Sequence, residues 1–434
     1  MRSMLRIFPL FLLLIAVLSS SAQVPTPGAT PKEQVVLVGG NLHVGNGQVI
    51  ANAAIGMKDG VITFVKDANE VNDNSGQIIE ISGMEVYPGF ILPNNVLGIF
   101  EVAAVRATRD FSEVGGFNPN VRSIIAFNTE SKVTTTVRSN GVLMSQVTPR
   151  SGRISGTSSI VHLDGWNWED AAVLEDDGIH LNWPVRNKKS GWWAEPGPTK
   201  ANDKYNEEVD ELKQFLQRAK AYSEKPDSDV NLKMESCRGL FDGEKRFYIH
   251  VNNAKEITQA VLMANSLGIN HPVIVGGADS WMITDFLNQH KIPVILERVH
   301  SMPDHEDSDV DQPYKTPKML FDAGIEFCFN YQGDKEAMGA RNLPFSAGTA
   351  VAYGLPYEEA IKALTSKSAT IMGCGDICGT VEKGKQATLF VSKGDALDMR
   401  TNDVVHAFIQ GRKVDLDNHQ KKLYRKYMAK YEQD

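Results

Sequence analysis

Apolar positions near the start of the chain alternate with turn residues in a pattern typical of short antiparallel strands. An apolar run at residues 35–38 ends at a Gly-Gly-Asn turn signal. Residues 54–65 form two apolar halves around Asp59-Gly60, which predicts a strand, a tight hairpin turn and a second strand. A further strand is expected at residues 78–81. The pattern therefore predicts an antiparallel β unit over residues 34–87.

From residue 88 the pattern changes to short apolar runs that alternate with segments of helical periodicity. Such alternation predicts βα units around a parallel sheet, hence an α/β fold class. Roughly 290 residues of this pattern favour a (β/α)8 barrel of the TIM type over a doubly wound sheet, and no Gly-x-Gly-x-x-Gly follows a strand. We expect the barrel to span residues 88–379. The predicted strands lie at residues 134–138, 179–181, 247–251, 272–275, 293–296 and 325–329, and the predicted helices at residues 206–223, 254–267, 280–289 and 357–366.

The end of the chain returns to β character and then becomes a charged helix. Residues 380–414 contain a turn, a strand and a hairpin-like pair, and residues 415–434 are predicted to be helical. Because the polar side of this helix mixes both charge signs, we interpret its apolar face as a docking face rather than a membrane-binding one. The side chains of that face are Leu416, Leu423, Tyr427 and Tyr431.

The first residues have the composition of a secretory signal. Arg2 and Arg6 precede an apolar run, and small residues end the segment at residue 22. A Pro-rich lead-in follows at residues 23–33. We therefore expect residues 1–22 to be removed on export, so that the mature protein is periplasmic or secreted.

The charge of the chain limits the class of partner. The formal net charge is −8, and loss of the signal would lower it to −10, since that segment holds two arginines and no acid. An acidic chain without a basic patch argues against nucleic acid, and against a membrane after signal cleavage. A small molecule is the expected ligand. Cys374 and Cys378 are spaced to close a small disulfide loop or to remain two thiols.

One motif carries a resemblance to a known family. Pro88-Gly89-Phe90-Ile91 is similar to the start of the amidohydrolase signature, in which Pro-Gly-(Phe/Leu)-(Ile/Val) precedes Asp-x-His-x-His. Leu92 stands where the aspartate would be, and Asn94 and Val96 stand where the two histidines would be. Two later segments resemble the imidazolonepropionase-like group of that family. They are Leu355-Pro356-Tyr357-Glu358-Glu359-Ala360 with the residues up to Thr365, and Gly379-Thr380-Val381-Glu382-Lys383-Gly384-Lys385 with the residues around it.

The resemblance implies a composite β-sandwich, formed by residues 34–87 plus 380–414, beside the barrel. It also implies hydrolysis of a non-peptide carbon–nitrogen bond in a small cyclic amide or related compound, with one or two divalent metals such as zinc. The ligand pattern implies that this metal chemistry is altered or lost. By this resemblance, His250 would be a metal ligand and Asp334 would be the catalytic acidic residue. After the predicted strand at residues 272–275, Gly276 and Gly277 stand where the resemblance would place a histidine ligand.

Five further residues are candidates for the site. His180 ends a predicted strand, which makes it a second metal ligand or a hydrogen-bonded core histidine. Arg150 and Arg153 lie in a Gly- and Ser-rich segment that holds a carboxylate or phosphate, or is an ordinary surface loop. His300 opens an acidic loop that is either solvated or a site for a divalent cation. Asn94 offers only a neutral amide oxygen, and we expect it to contact the ligand.

Two functions remain open on the sequence. The first is an amidohydrolase whose usual metal site is largely lost. The second is a non-catalytic pseudoenzyme of the same fold that binds a small ligand or pairs with an active paralogue, and self-association into a homo-oligomer fits either. A tryptophan-rich stretch at residues 183–198 is either a lid or aromatic wall of the site, or a set of aromatics that pin a long loop.

Overall fold

The computed structural model describes residues 26–72, 76–192, 194–225, 229–332 and 336–431. The predicted signal at residues 1–22 and the candidate Asp334 lie outside these ranges. The strands are β1 Val35–His43, β2 Val49–Lys58, β3 Val61–Asp67, β4 Gln77–Glu80, β5 Glu85–Pro88, β6 Phe90–Asn95, β7 Val142–Val147, β8 Ile154–His162, β9 Ala172–Asn182, β10 Asn187–Trp192, β11 Glu195–Ala201, β12 Arg246–Val251, β13 His271–Gly276, β14 Val294–Leu296, β15 Phe327–Cys328, β16 Leu389–Ser392, β17 Val404–Ile409 and β18 Arg412–Lys413. The α-helices are α1 Lys132–Arg138, α2 Trp168–Ala171, α3 Tyr205–Ser223, α4 Leu232–Glu235, α5 Gly239–Asp242, α6 Ala254–Leu267, α7 Thr284–His290, α8 Gln312–Asp322, α9 Glu336–Gly339, α10 Leu343–Ala352, α11 Tyr357–Leu364, α12 Ser366–Met372 and α13 His419–Tyr431.

The first of two large sheets, which we call the flanking sheet, combines strands from both ends of the chain. Its order is β18-β17-β16-β5-β1-β2-β3, and β4 also pairs with β1. The two ends meet where β5 and β16 run antiparallel, with Pro88 opposite Leu389. Apolar side chains from both ends, including Leu37, Ile55 and Phe408, fill one shared core. The flanking sheet is therefore complete only when the C-terminal strands pair with the N-terminal ones.

The second sheet, which we call the central sheet, has the order β15-β14-β13-β12-β9-β8-β7-β6. The α/β class predicted from the alternation of strands and helices is confirmed. The strands are parallel except β8, which runs antiparallel to both β7 and β9. Only residues 148–153 connect β7 to β8, and a link that short joins antiparallel strands, since a parallel crossover needs a dozen residues or more. The central sheet thus departs from the uniform parallel order that the sequence pattern predicts.

One predicted strand is a helix. Residues 134–138 are rich in Thr and Val, which favours strand on propensity, but they belong to helix α1. Ser131 caps the helix by accepting a hydrogen bond from the Val133 N–H, and the Thr134 hydroxyl donates to the Ser131 carbonyl over 2.6 Å. Val133 and Val137 pack into the core on the same face of the helix. The prediction was wrong because capping and burial outweigh the propensity of β-branched residues.

The C-terminal helix and the cysteines fall within the described residues. Helix α13 touches helix α1, where the Thr136 hydroxyl donates to Gln420 over 2.9 Å, while Tyr424 and Tyr427 remain exposed. None of the helices in the described ranges is long and apolar enough to cross a membrane. Cys374 and Cys378 are buried thiols with sulfur atoms 3.4 Å apart.

His43 links the flanking sheet to helix α11. Its ring stacks on Tyr87 with centroids 4.5 Å apart, and its two nitrogens lie 2.7 Å from Glu358 and 3.2 Å from Glu85. Burial lowers the pKa of His43, but the two carboxylates outweigh burial and the net pKa is raised above 6.5. The two carboxylates therefore favour the protonated form of His43 at the junction between the flanking sheet and helix α11.

We predict that His43→Gln makes stability less dependent on pH near neutrality. Since the folded-state pKa is raised, the imidazolium contributes stability fully below about pH 6.5 and loses it as pH rises through the folded pKa. The variant should be about 2 kcal/mol less stable than the parent at pH 6, as for hydrogen bonds to charged groups, with a smaller difference at pH 9. Urea unfolding across that range measures this, with the exposed His271→Gln as the control. A difference that grows with pH would contradict the assignment.

Candidate active site

Four of the residues singled out from the sequence meet at one edge of the central sheet. We call this the carboxyl edge, because the parallel strands β6, β7, β9 and β12 to β14 end there. Asn94 lies at the end of β6, Arg150 follows β7, and His180 and His250 lie near the ends of β9 and β12. In sheets of this kind, side chains at the carboxyl ends of neighbouring strands form the functional site.

Arg150 is held by acceptors on two sides. One terminal nitrogen donates to the Asn94 side-chain oxygen over 2.7 Å, and the other donates to the Asn94 carbonyl over 2.9 Å and to the Glu336 carboxylate. Asn94 has a φ of 48°, a left-handed conformation that Asn tolerates better than most residues. The Asn94 amide also donates to Gln332 over 2.7 Å. The side chains of Arg150 and Glu336 are only 20% and 14% exposed, so this is a largely buried ion pair.

His180 and His250 form a hydrogen-bonded pair beside Arg150. Nδ1 of His180 lies 2.8 Å from Nε2 of His250, and the His180 ring stacks on Tyr248 at 4.5 Å. Burial, followed by the positive charge of Arg150, lowers the pKa of His250 to about 3. Burial also lowers the pKa of His180 well below 6.5, with His250 and Arg150 adding to the effect. Both rings are therefore neutral, and one donates its proton to the other.

A buried carboxyl lies deeper in the central sheet. Asp177 accepts hydrogen bonds from the Tyr248 hydroxyl at 2.5 Å, the Gln146 amide at 2.6 Å and the Ser158 hydroxyl at 2.7 Å. Burial raises the pKa of Asp177 to about 6 even though these three donors lower it. The Gln146 side-chain oxygen accepts from the Asn94 backbone N–H over 2.9 Å. A continuous polar network thus runs from Arg150 through Asn94 and Gln146 to Asp177.

A cleft of about 970 Å³ opens at the carboxyl edge beside this network. His250 and Gln332 contribute to its wall, and so connect it to the buried cluster. Its volume falls in the range of sites that hold small molecules. Its acidic lining residues are Glu256, Asp279, Glu297, Asp304 and Asp307, and its basic ones are Arg186, Lys255 and His305.

A histidine–carboxylate pair lies on the wall of the cleft. Nε2 of His305 is 2.8 Å from one oxygen of Asp279, and the other oxygen accepts from the Ala254 backbone N–H over 3.0 Å. Asp279 is buried and His305 is 38% exposed on its side chain. The hydrogen bond to Asp279 and the charge of that carboxylate raise the pKa of His305 above 6.5. A fixed carboxylate therefore orients an imidazole that is accessible from the cleft.

Two candidates from the sequence lie outside this arrangement. Arg153 donates to the Asn182 carbonyl over 2.8 Å and pairs with Glu208 at 2.9 Å. His300 lies 2.7 Å from the Thr349 hydroxyl. In the acidic loop, the Lys315 ammonium lies 2.8 Å from Asp309 and 2.6 Å from Asp311, so a lysine already neutralises those two carboxylates.

The Gly- and Ser-rich segment at residues 148–159 is predicted to be an anion-binding or surface loop, but only residues 148–153 lie outside a strand. Residues from Ile154 onward belong to β8, whose side chains are all buried. Arg150 and Arg153 flank the preceding turn, and each has protein acceptors. The Gly and Ser content that suggests a loop instead fills a crowded strand: Ser158 donates to Asp177, and a side chain at Gly156 would meet the Val121 carbonyl oxygen at 2.6 Å.

A catalytic divalent metal does not fit the residues at the end of β6. Leu92 and Val96 are buried hydrocarbon side chains, and the Asn94 oxygen accepts from Arg150. The nearest imidazole nitrogens of His180 and His250 are bonded to each other. In the part of the chain that the structure describes, no three His, Cys, Asp or Glu side chains are grouped to hold a metal ion. The guanidinium also places a positive charge next to any cation that would bind there.

The sequence pattern does not single out several residues of the site. Glu175, Asp176 and Asp177 look like an exposed acidic run, and Arg122 does pair with the first two at 2.7 and 2.8 Å. Only Asp177 turns inward. Asp279 lies just past Gly276 and Gly277 at the end of β13, and Glu336 is far from Arg150 along the chain. The one available signal was the presence of acids shortly after the ends of β13 and β15.

Comparison with known proteins gives matches in structure only. No protein-family model and no curated protein sequence matches the chain. An amidohydrolase from Thermotoga maritima MSB8 superposes with a TM-score of 0.74 at 20% identity, covering 88% of this chain and 99% of that one. A Xaa-Pro dipeptidase matches with a TM-score of 0.55 at 13% identity, covering 88% and 100%. A molinate hydrolase matches with a TM-score of 0.55 at 13% identity, covering 90% and 95%.

We predict that Asp177→Asn changes the pH dependence of stability. Compared with the parent, the variant gains stability as the pH rises from acid to neutral. A folded pKa of about 6 against 3.8 for the free group means that the protonated acid stabilises the fold below about pH 4, and that this contribution is lost as pH rises through 6. The shift corresponds to about 3 kcal/mol. The stability of the variant minus that of the parent should therefore increase by up to that amount between pH 4 and pH 8. Urea unfolding measures it, and the exposed Asp203→Asn serves as the control. A constant difference across this range would refute the assignment.

Proposed function

Because the chain shares its fold with amidohydrolases, we propose that it hydrolyses an amide-type carbon–nitrogen bond in a small molecule, such as a cyclic amide, that binds in the cleft of the carboxyl edge. In this proposal, the central sheet corresponds to the barrel of that fold. The flanking sheet corresponds to its composite β-sandwich. The observation that carries it is the His305–Asp279 pair on the wall of a cleft of about 970 Å³. Neither residue belongs to the motif at the end of β6.

The pair supplies the proton transfer that amide hydrolysis requires. Asp279 accepts from Nε2 of His305, which leaves Nδ1 of the neutral ring as the base. In the proposed reaction Nδ1 takes a proton from water, and the resulting hydroxide adds to the carbonyl carbon. The carbon–nitrogen bond then breaks as the imidazolium returns that proton to the leaving nitrogen. The products are a carboxylic acid and an amine, and the histidine is regenerated.

The rest of the cleft supports binding rather than bond cleavage. Neutral His250 and the Gln332 amide offer hydrogen bonds at its inner wall, and Trp183 contributes an aromatic surface. Trp183 is itself fixed by a hydrogen bond from its indole nitrogen to the Tyr205 hydroxyl at 3.1 Å. Of the two interpretations of the tryptophan-rich stretch, this residue fits the wall of a site, whereas Trp192 is exposed and Trp193 lies outside the described residues.

A second candidate function is ligand binding without hydrolysis. The observation that favours it is the Arg150–Glu336 ion pair, because it fills the end of β6 with a neutralised charge cluster instead of a reactive group. On this alternative the cleft still binds a small molecule, and the protein acts as a pseudoenzyme alone or with an active paralogue. Turnover separates the two functions.

We predict that the His305→Ala variant loses at least about 100-fold in kcat on any amide that the parent protein hydrolyses, the usual size of a general-base contribution. The probes are hydantoin, 5-oxoproline and Xaa-Pro dipeptides, with release of the product amine or ureido acid measured chromatographically. Because the pKa of His305 is raised, kcat/KM should increase with pH to an inflection above 6.5, and Asp279→Asn should move that inflection lower.

The exposed His271→Ala provides the matched control, with unchanged turnover expected. Hydrolysis that persists undiminished in His305→Ala would remove the histidine from the mechanism. Saturable binding of these probes with no turnover by the parent protein would favour the non-catalytic alternative.

A further inference from the structure

A second cavity lies at the end of the central sheet opposite the cleft, and the two share no lining residue. It has a volume of about 600 Å³ and lies where β12, β13 and β14 begin, so we call it the amino-edge cavity. The last turns of helices α6, α7 and α12 complete its wall. Its volume is in the range of cavities that hold small molecules.

The side chain of Arg246 is fixed at this cavity. Arg246 is the first residue of β12, and its Nε donates to the Ile371 carbonyl over 3.0 Å. Its guanidinium also packs against Gly373, since a Cβ at that position would meet the Arg246 Cζ at 2.0 Å. Gly373 ends helix α12 with a left-handed φ of 85°. The strand, the carbonyl and the glycine together set the position of the guanidinium.

Arg246 keeps two terminal nitrogens for which the described residues provide no acceptor. In that part of the chain, the bond to Ile371 is the one hydrogen bond of this side chain, and no carboxylate forms an ion pair with it. Arg138 and Arg150, by contrast, each pair with a carboxylate. A guanidinium presents its N–H donors in a planar fork that matches the oxygens of a carboxylate or a phosphate. Arg246 therefore offers the cavity a cation with donors for an oxyanion.

The neighbouring side chains add donors and a second positive charge. Nδ1 of His290 accepts from the Asn265 amide over 3.0 Å, so the neutral ring carries its proton on Nε2 and can donate it. Lys291, directly after helix α7, contributes an ammonium group. Glu326 is the one carboxylate among the lining residues. The lining therefore has an excess of positive charge, although the chain as a whole carries −8.

We propose that the amino-edge cavity binds a small organic anion whose carboxylate or phosphate oxygens accept from the terminal nitrogens of Arg246. Lys291 adds to the attraction, and His290 supplies a further donor. A neutral or cationic molecule would leave the guanidinium without a counter-charge, whereas an oxyanion provides both the charge and paired acceptors. This site is independent of the proposed hydrolysis, because it lies at the other end of the central sheet.

Binding of inorganic phosphate, succinate and citrate to the full chain tests the proposal. Isothermal titration calorimetry is carried out with each anion at constant ionic strength, so that general screening of charge is not read as binding. We expect at least one of them to bind once per chain with a Kd of about 1 mM or tighter, and to raise Tm as a ligand of the folded state does. Binding of phosphate alone would identify the ligand class as phosphorylated, and binding of succinate or citrate alone would identify it as a carboxylate.

Matched variants connect the binding to the charges of the cavity. Arg246→Met should weaken it at least about tenfold, as expected for loss of a charge-assisted pair of hydrogen bonds, and Lys291→Met should weaken it less. Glu326→Gln removes the one carboxylate of the lining and should tighten binding, a gain that loosening of the fold cannot produce. Arg218→Met removes an exposed arginine of helix α3 outside the cavity and should leave the Kd unchanged.

Two results would overturn the proposal. The first is a parent protein that shows no saturable binding of any of the three anions. The second is an affinity that neither Arg246→Met nor Glu326→Gln changes. Since neither measurement involves turnover, both outcomes leave the proposed hydrolysis to its own test.

Discussion

The arrangement of the side chains at the carboxyl edge depends on the buried ion pair between Arg150 and Glu336. Both side chains are largely buried, and an isolated charge in that position would be costly. Asn94 adds two oxygens to the guanidinium, which its left-handed backbone allows. The two adjacent histidines are then neutral, because burial and the nearby positive charge act in the same direction on both. Burial is the larger cause, and the fixed cation adds to it at both histidines.

The polar network extends this constraint into the centre of the sheet. Gln146 bonds to the Asn94 backbone on one side and to Asp177 on the other, so the position of Asn94 is coupled to a carboxyl that is completely buried. Carboxylic acids are rarely fully buried in proteins unless they have partners. An acid with its pKa raised by burial destabilises the fold at neutral pH, so packing alone does not account for Asp177. Strongly perturbed pKa values of buried groups cluster at functional sites.

The sequence predicts the architecture better than it predicts the site, for a physical reason. The hairpin at Asp59-Gly60 and the alternation of strands and helices depend on local turn chemistry and periodicity, which any short window contains. The direction of β8 depends on the length of its connection to β7. The helix at Thr134 depends on its N-terminal cap and on packing against the core. The contact between Arg150 and Glu336 joins residues 186 positions apart, and no local pattern encodes it. His180 and His250 could be named because both end predicted strands, but their bonding to each other could not.

The two sides of the carboxyl edge have different properties, and this difference limits where chemistry can occur. On the side of β6 and β7, Arg150 bonds to Asn94 and Glu336, and the charges of the ion pair cancel. On the side of β13 and β14 the cleft is open, and Asp279 presents His305 with one ring nitrogen facing away from the carboxylate. A group that exchanges protons with a substrate needs both solvent access and a pKa near the working pH. Among the described residues, His305 is accessible from the cleft and its pKa is raised by Asp279, whereas His180 and His250 are hydrogen-bonded to each other and their pKa values are depressed. Among the described residues, the imidazole that a carboxylate orients toward the cleft therefore lies in the loops that follow β13 and β14, and not among the residues that replace the metal-binding signature.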